Sequence, residues 1–278
     1  MSKYRGRIAP TPSGFLHLGH AATFSTAQKR AAENGGKLVF RNEDLDQARC
    51  KKEFIEASMK DLRDCGIHWD EGPDVGGAFG PYNQSERQEW YLEVWQLLKN
   101  TGWIYPCDKS RKDVQSSLSA PHANKAEAVF PVKLRPGESD FSKFTGPGDT
   151  NWRFRVPDFE TVSFDDLHLG PQSFTALKDF GDFLVWRKDG FPSYELAVTA
   201  DDHAMEISEV VRGEDLLLST ARQLLIYRAL KWFSPAFYHC HLIKDENGQR
   251  LAKRNKALSL RTIIASKSPN EVKKLLFP

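Results

Sequence analysis

Residues 4–41 read Tyr4-Arg-Gly-Arg7-Ile-Ala-Pro10-Thr-Pro-Ser-Gly14-Phe-Leu-His17-Leu-Gly19-His20-Ala-Ala-Thr-Phe24-Ser-Thr-Ala-Gln-Lys-Arg30-Ala-Ala-Glu-Asn-Gly35-Gly-Lys37-Leu-Val-Phe-Arg41. Tyr4 to Ala9 is a strand candidate. The Pro10-Thr-Pro-Ser-Gly14 run after it is loop chemistry, because two prolines and a glycine forbid regular pairing. A helix is expected to begin near Leu18 to Ala22 and to run through Phe24 and Ala27 to Ala32. It should stop at Gly35-Gly36, where glycine can take the left-handed conformation that ends helices. Lys37 to Arg41 is then a short, mostly apolar strand. Strand, helix and strand in that order make a βαβ unit, which implies a parallel sheet with a right-handed crossover.

Working outward, two more helices are predicted. Lys52 to Cys65 puts Phe54, Ile55, Met59 and Leu62 on one face before Gly66. Ser85 to Asn100 has Ser85 as its expected N-cap and Trp90, Val94, Leu97 and Leu98 at helical spacing. From Cys107 to Asp182 the pattern breaks into β-like pieces, Val129 to Leu134, Trp152 to Val156 and Thr161 to Phe164, separated by Pro-Gly loops. The α/β character returns with Phe183 to Arg187, Ser193 to Thr199, Ile207 to Arg212, a helix over Ser219 to Lys231 and a strand at Phe237 to Ile243. The Asp245-Glu-Asn-Gly248 turn and an amphipathic tail, Leu260 to Phe277, follow. The expected organisation is one α/β catalytic domain in two halves, 1–106 and 183–278, with an α+β insertion at 107–182.

The 278 residues, 40% hydrophobic and 27% charged, suffice for a sizeable core and exclude collagen-like, low-complexity and largely disordered chains. A net charge of +2 gives no reason for nucleic-acid binding by bulk electrostatics, so any such partner must be met locally. Cys50, Cys65, Cys107 and Cys240 form no CxxC or CxC pair, which suits reduced thiols and not a disulfide framework. The first residues carry no apolar signal region and no run approaches a membrane span. The expectation is a soluble cytoplasmic protein.

Two local signals carry chemistry. In His17-Leu-Gly19-His20, imidazoles three residues apart at a helix start face the same way, and Gly19 lets a ligand approach the backbone. With the helix N–H groups and dipole, the place suits phosphate. A pair of surface histidines beside a tight turn is the plainer reading, and a metal site lacks a carboxylate or cysteine at the usual local spacing. The second signal is Arg250-Leu-Ala252-Lys253-Arg254. A mobile basic loop can neutralise charge developing on a leaving pyrophosphate, though alone a solvated basic loop is the plainer reading.

In this order, the pair resembles the two signatures of class I aminoacyl-tRNA synthetases. The blocks Arg7-Ile-Ala-Pro-Thr-Pro-Ser-Gly14, Val39-Phe-Arg-Asn-Glu43-Asp44-Leu-Asp46, Ile67-His-Trp69-Asp70-Glu-Gly72 and Gly80-Pro-Tyr-Asn-Gln-Ser-Glu-Arg87 resemble glutamyl-tRNA synthetase motifs. So do Tyr194-Glu-Leu-Ala-Val-Thr-Ala-Asp201-Asp202-His203 and Val211-Arg212-Gly213-Glu214-Asp215. The resemblance implies a Rossmann-like catalytic core that activates L-glutamate with ATP and Mg2+. By resemblance, Arg7, Ala9, Thr11, Glu43, Tyr194 and Arg212 would hold glutamate, Glu43 taking the ammonium. His17, Gly19 and His20 would contact ATP, and His17, His20 and Lys253 would serve the reaction, Lys253 stabilising the pentavalent phosphate. Only residues 255–278 follow Arg254, which leaves no room for an anticodon-reading domain. In length the chain is similar to the short branch that joins glutamate to the queuosine base in the anticodon stem-loop of tRNA(Asp), expected as a monomer. A shortened glutamyl-tRNA synthetase charging a 3′ end, or a non-catalytic nucleotide or tRNA-binding module, are the alternatives. From Lys244 onward nine Lys or Arg face three Asp or Glu, a modest sign of RNA contact that a solvated face explains as well.

Three departures stand out. The short branch carries a zinc knuckle of three cysteines and a tyrosine. Here Tyr105-Pro-Cys107-Asp108-Lys109 keeps one cysteine, so no zinc is expected, His122 and Asp108 being poor substitutes, and packing and hydrogen bonds should hold the insertion. Ala252 stands where the signature loop has serine, and Arg250 at a common lysine position. Glu195 would repel glutamate unless it points away or pairs with an arginine. Asp44, Asp46, Asp201 and Asp202 are read as caps or ion-pair partners and not as metal ligands, and Trp69, Trp90, Trp95 and Trp103 as packing.

Overall fold

In the computed structural model β1 (Arg5–Ile8) and β2 (Lys37–Phe40) pair in parallel, Arg5 opposite Lys37 and Ile8 opposite Phe40, joined by helix α1 (Leu18–Glu33). This is the expected βαβ unit. Residues 4–109, 113–114, 129–137, 141, 144–243, 259–267, 271–272 and 276 are described. The Asp245–Gly248 turn, the Arg250–Arg254 segment with Lys253, and His122 lie outside them.

The glycine pair ends α1 as its chemistry demands. Gly35 has φ 57° and donates to Ala32 O, while Gly36 N donates to Ala31 O at 2.8 Å, the crossed bonds of a Schellman cap. Gly36 is also sterically required, because a Cβ there would sit 2.4 Å from Tyr4 O. Small residues on the buried face of α1, Ala21, Ala27 and Ala31, let it close on Ile8, Leu38 and Phe40. Leu62 and Cys65 from helix α2 (Lys52–Asp64) and its end, with Ile67 and Trp69, complete that core. Burial pushes the Cys65 thiol up to about 12, with Asp61 and Asp64 adding to the shift.

Among the described residues the chain folds as two units, the first from 1–87, 204–216 and 235–278, the second from 88–203 and 217–234. In the first, β8 (Glu209–Gly213) and β9 (Ala236–Cys240) are also parallel. Arg5 N donates to Ser208 Oγ at 2.9 Å and Arg7 Nη1 to Val211 O at 2.9 Å, so β1 and β8 run the same way side by side. The carboxyl ends of β1, β2, β8 and β9 therefore share one edge. Ligands of open parallel sheets bind at such an edge.

One buried carboxylate ties this unit. Glu71 accepts a fork from Arg5, Nη1 at 2.8 Å and Nη2 at 3.0 Å, with the Tyr82 hydroxyl at 2.8 Å and Lys37 Nζ at 3.3 Å. Arg5 Nε also reaches Met205 O, and its guanidinium covers the Phe79 ring. The Arg5 fork is the largest influence holding the Glu71 carboxyl down to about 2.

The second unit holds helices α3 (Gln88–Asn100), α4 (Tyr194–Ala204) and α5 (Leu217–Leu230). Its antiparallel sheet runs β3 (Ile104–Cys107), β4 (Asn151–Phe154), β7 (Phe183–Trp186), beside a hairpin of β5 (Thr161–Asp166) and β6 (Gly170–Thr175). Asp182, fully buried, takes both guanidinium arms of Arg135, at 2.7 and 2.8 Å, the Tyr105 hydroxyl at 2.6 Å and Val156 N at 3.0 Å. Burial and the nearby Asp182 charge push the Tyr105 hydroxyl well above its ordinary range.

Several expectations need correction here. Ser85 does not cap α3. It lies in a 3-10 turn, Gln84–Glu86, where its N–H and hydroxyl both bond Asp44, at 2.9 and 2.7 Å, and the helix starts at Gln88. Val129 to Leu134 is not a strand, since Val132–Leu134 makes a single 3-10 turn after Pro131. Of the Ser193 to Thr199 segment, whose element type the sequence leaves open, Tyr194 onward lies in helix α4, buried from Glu195 to Asp202 on every face, so no amphipathic period marks it. Strands β3 and β6 were not anticipated because each holds a proline; Pro106 is tolerated since β3 lies at the edge of its sheet. The tryptophans pack as expected, Trp95 edge-on to Trp152 at 4.9 Å and Trp69 on Phe40 at 4.6 Å.

Glu71→Gln removes one charge from a buried fork and is expected to cost about 3 kcal/mol in urea denaturation. Because the folded carboxyl lies near 2, below the ordinary value of 4.5, its contribution is complete above the ordinary value and is lost as pH falls toward 2. The urea midpoint of the wild type should therefore drop more steeply between pH 5 and pH 2.5 than that of the variant; parallel curves would refute the assignment.

Candidate functional site

Two side chains start the site at the head of α1. His17 is the N-cap, extended at φ −117°, and its Nδ1 accepts from Gly19 N at 3.1 Å. His20 Nδ1 in turn accepts from His17 N at 3.3 Å, a capping box built from two imidazoles. The rings stack with centroids 3.7 Å apart. Since both Nδ1 atoms accept backbone protons, each neutral ring carries its hydrogen on Nε2. This refines the expectation of a bare helix terminus. Gly19 N is taken by His17, and His20 N and Ala21 N both bond His17 O.

The edge of the parallel strands supplies the rest. Arg7 is on β1, Ala9 just beyond it, and Thr11 exposed in the following turn. Past β2, Glu43 N donates to Pro10 O at 3.0 Å and Arg41 N to Ile8 O at 3.0 Å, which fastens the Glu43 segment to the first turn. Glu43 is buried, and its Oε1 accepts from Arg41 Nη2 at 3.2 Å. At the end of β8, Arg212 Nε donates to His239 Nε2 at 3.2 Å, and the Arg212 guanidinium lies 5.5 Å from the Phe237 ring centre. Arg7, Glu43 and Arg212 are all less than a tenth exposed. Buried guanidinium groups with a carboxylate form a receptor for a ligand that carries both charges.

The first unit thus gathers Arg7, Ala9, Thr11, His17, Gly19, His20, Glu43 and Arg212. Tyr194 stands at the head of α4 in the second unit, 38% exposed. Beside it Glu195 turns into that unit, accepting from Ser219 Oγ at 3.0 Å and lying 3.6 Å from Arg222, so its charge is paired. Lys253 is outside the described residues. The other carboxylates weighed as ligands are engaged: Asp44 by Ser85, Asp46 by Arg49 at 2.6 Å, and Asp201 by the Tyr91 hydroxyl at 2.9 Å. Among the described residues no group of three His, Cys, Asp or Glu stands ready for a metal.

Two residues escaped the sequence reasoning. Arg41, fully buried, is two residues from Glu43, a spacing that puts extended side chains on one side. His239 faces Arg212 in the parallel register of β8 and β9, which only the strand pairing reveals.

Residues 3–271 match the family model of the class I (E and Q) tRNA synthetase catalytic domain. The chain is similar to a glutamyl-Q tRNA(Asp) synthetase of Symbiobacterium thermophilum, 45% identical over 96% of this chain and 83% of that protein. It is also similar to a glutamate–tRNA ligase of Listeria welshimeri, 39% identical over 91% of this chain and 52% of that one. The glutamate-tRNA synthetase structure from Elizabethkingia anophelis superposes with a TM-score of 0.78 at 30% identity, covering 91% of this chain and 53% of that chain. The chain therefore spans about half of the two latter proteins.

Gly19 is the tight point of the imidazole pair, since a Cβ there would stand 3.0 Å from His17 Cε1. Gly19→Ala should push the rings apart, with the ring-current-shifted imidazole signals of His17 and His20 moving toward unstacked positions in the proton spectrum. Unchanged signals would show that the stack does not depend on this glycine.

Proposed function

The chain belongs to the class I tRNA synthetases, in the catalytic-domain family of the glutamyl and glutaminyl enzymes, and from that premise we propose that it activates L-glutamate with ATP and transfers it to tRNA. The observation that carries the reading is the burial of Arg7, Glu43 and Arg212 at or just past the carboxyl ends of the parallel strands, in the same unit as the stacked histidines. Glutamate brings one ammonium and two carboxylates. Glu43 takes the ammonium, and Arg7 and Arg212 take carboxylates, with Tyr194, Ala9 and Thr11 as further contacts.

In the first step a glutamate α-carboxylate oxygen attacks the α-phosphorus of ATP. A P–O bond forms, the bond to the β-phosphate bridging oxygen breaks, and pyrophosphate leaves with that electron pair. The Nε2–H groups of His17 and His20 donate to phosphate oxygens, orienting the chain of phosphates in line, and Lys253 neutralises charge on the departing pyrophosphate. Mg2+ is assigned to the nucleotide's own phosphates as their counter-ion. In the second step an acceptor hydroxyl attacks the activated carbonyl, AMP leaves with the former carboxylate oxygen, and the hydroxyl proton is released. We assign that hydroxyl to the queuosine base in the anticodon stem-loop of tRNA(Asp), with the protein acting as a cytoplasmic monomer. The support is the 45% identical relative of similar length. A second reading, charging of a tRNA 3′ end, is favoured by the likeness to the glutamate–tRNA ligase, of which the chain covers half.

The test is glutamate-dependent exchange of labelled pyrophosphate into ATP. Exchange without tRNA is expected, abolished in Lys253→Ala, and Glu43→Gln should raise the KM for glutamate about tenfold or more, as for a lost charged hydrogen bond. Labelled glutamate should then pass to queuosine-bearing tRNA(Asp) in a form stable to 3′-end removal. Exchange that requires tRNA(Glu) selects the second reading. No exchange under either condition overturns activation altogether.

A further inference from the structure

The turn that leads into the histidine pair is not held by its own residues alone. Helix α6 (Leu260–Ser266) begins at Ser259, which caps it by accepting from Thr262 N at 3.2 Å. His17 and Ser259 form an antiparallel bridge, and Leu260 N donates to Leu16 O at 2.7 Å. The pairing continues one step further in side chains, for the guanidinium of Arg261 lies over the Phe15 ring, 4.8 Å from its centre. Three successive residues, Phe15, Leu16 and His17, thus meet Arg261, Leu260 and Ser259 in antiparallel order.

Helix α2 is the bench under this joint. Phe15 packs edge-on against Phe54 with centroids 5.0 Å apart. Two helical turns on, on the same face, Asp61 accepts from Arg261, Nη2 at 3.1 Å and Nε at 3.3 Å. The Asp61 carboxylate is 4% exposed, while the arginine is 47% exposed, so the arginine is the removable half of the pair. Leu260 and Ile263 anchor α6 in the core under α1.

We propose that Arg261 is a positioning residue for nucleotide binding at the His17–His20 turn, acting through Phe15 and the Leu16–Leu260 main-chain bond. It touches no reacting atom. A guanidinium suits the post because it can stack on an aromatic face and fork onto a carboxylate at once, which an ammonium cannot. Released from that clamp, residues 15–17 lose the side-chain half of their pairing with 259–261, and the imidazole donors lose their fixed aim. Ser259 follows the basic Arg250–Arg254 sequence by five residues.

The inference rests on the reading of the histidine turn as the ATP site, and its experiment separates the two. ATP affinity is measured by calorimetry, and KM for ATP and for glutamate by pyrophosphate exchange, on wild type, Arg261→Ala, Arg261→Lys and Phe15→Ala, with thermal melts of each. The expected result is a five- to tenfold weaker ATP affinity and higher ATP KM in Arg261→Ala and Phe15→Ala. Glutamate KM should change less than twofold, and Arg261→Lys should recover only part, keeping the charge but not the stack. Unchanged ATP affinity in a folded Arg261→Ala overturns the proposal. So does equal weakening for ATP and glutamate together with a large melting shift, which would mark a merely structural role. Should Arg261→Ala fail to fold, Phe15→Ala and Arg261→Lys decide by the same criteria. A wild type that binds ATP but shows no exchange sinks the activation reading while leaving the calorimetric comparison to judge Arg261.

Discussion

The Arg5–Glu71 fork is the interaction on which the first unit depends. Glu71 is two per cent exposed and receives Arg5 from β1, Lys37 from β2 and Tyr82 from the later loop, while its backbone O accepts from Phe40 N at 2.7 Å. A carboxylate buried this deeply is tolerable only when its lone pairs are filled. Filling them requires β1, β2 and the Tyr82 loop to be in place together. That register sets where β1 and β2 end, and hence where Arg7 and Glu43 stand. The specificity of the site is bought with a polar core in which any one partner's loss strands the others.

Asp182 plays the corresponding part in the second unit, where Tyr105, Arg135 and Val156 converge on one carboxylate. The sequence anticipated that hydrogen bonds and packing would hold this region, and the described residues include such a knot beside a small apolar cluster of Tyr105, Cys107, Val114 and Phe130. The residues of the knot are 26 to 77 positions apart, Val156–Asp182 and Tyr105–Asp182 being the extremes, so no local pattern could have signalled them.

Legibility followed the same division. The βαβ unit could be read because each of its boundaries is punctuated locally: Pro10 to Gly14 ends β1 and Gly35-Gly36 ends α1. Where tertiary bonding overrides local preference, reading failed. Ser85 has the composition of a cap but is claimed by Asp44, 41 residues away, and α4 hides its period because every face is buried. Of the residues proposed for the site, Arg7, Glu43 and Arg212 stand out from the motifs that contain them. Arg41 and His239 do not, since their roles come from packing against those residues: Arg41 beside Glu43, and His239 beside Arg212 across two strands.

The histidine turn shows why a motif's spacing alone understates its chemistry. A helix N-terminus attracts anions through unsatisfied N–H groups. Here the motif spends three of those groups on itself, for Gly19 N and His17 N are bonded to imidazole nitrogens and His20 N to His17 O. What is gained is control of the tautomer. Each ring, having accepted at Nδ1, holds its hydrogen at Nε2, and stacking at 3.7 Å keeps the two rings side by side. Under the activation proposed above, the helix end would serve through two imidazoles held in a fixed orientation, and a fixed orientation is what in-line phosphoryl chemistry asks of a positioning group.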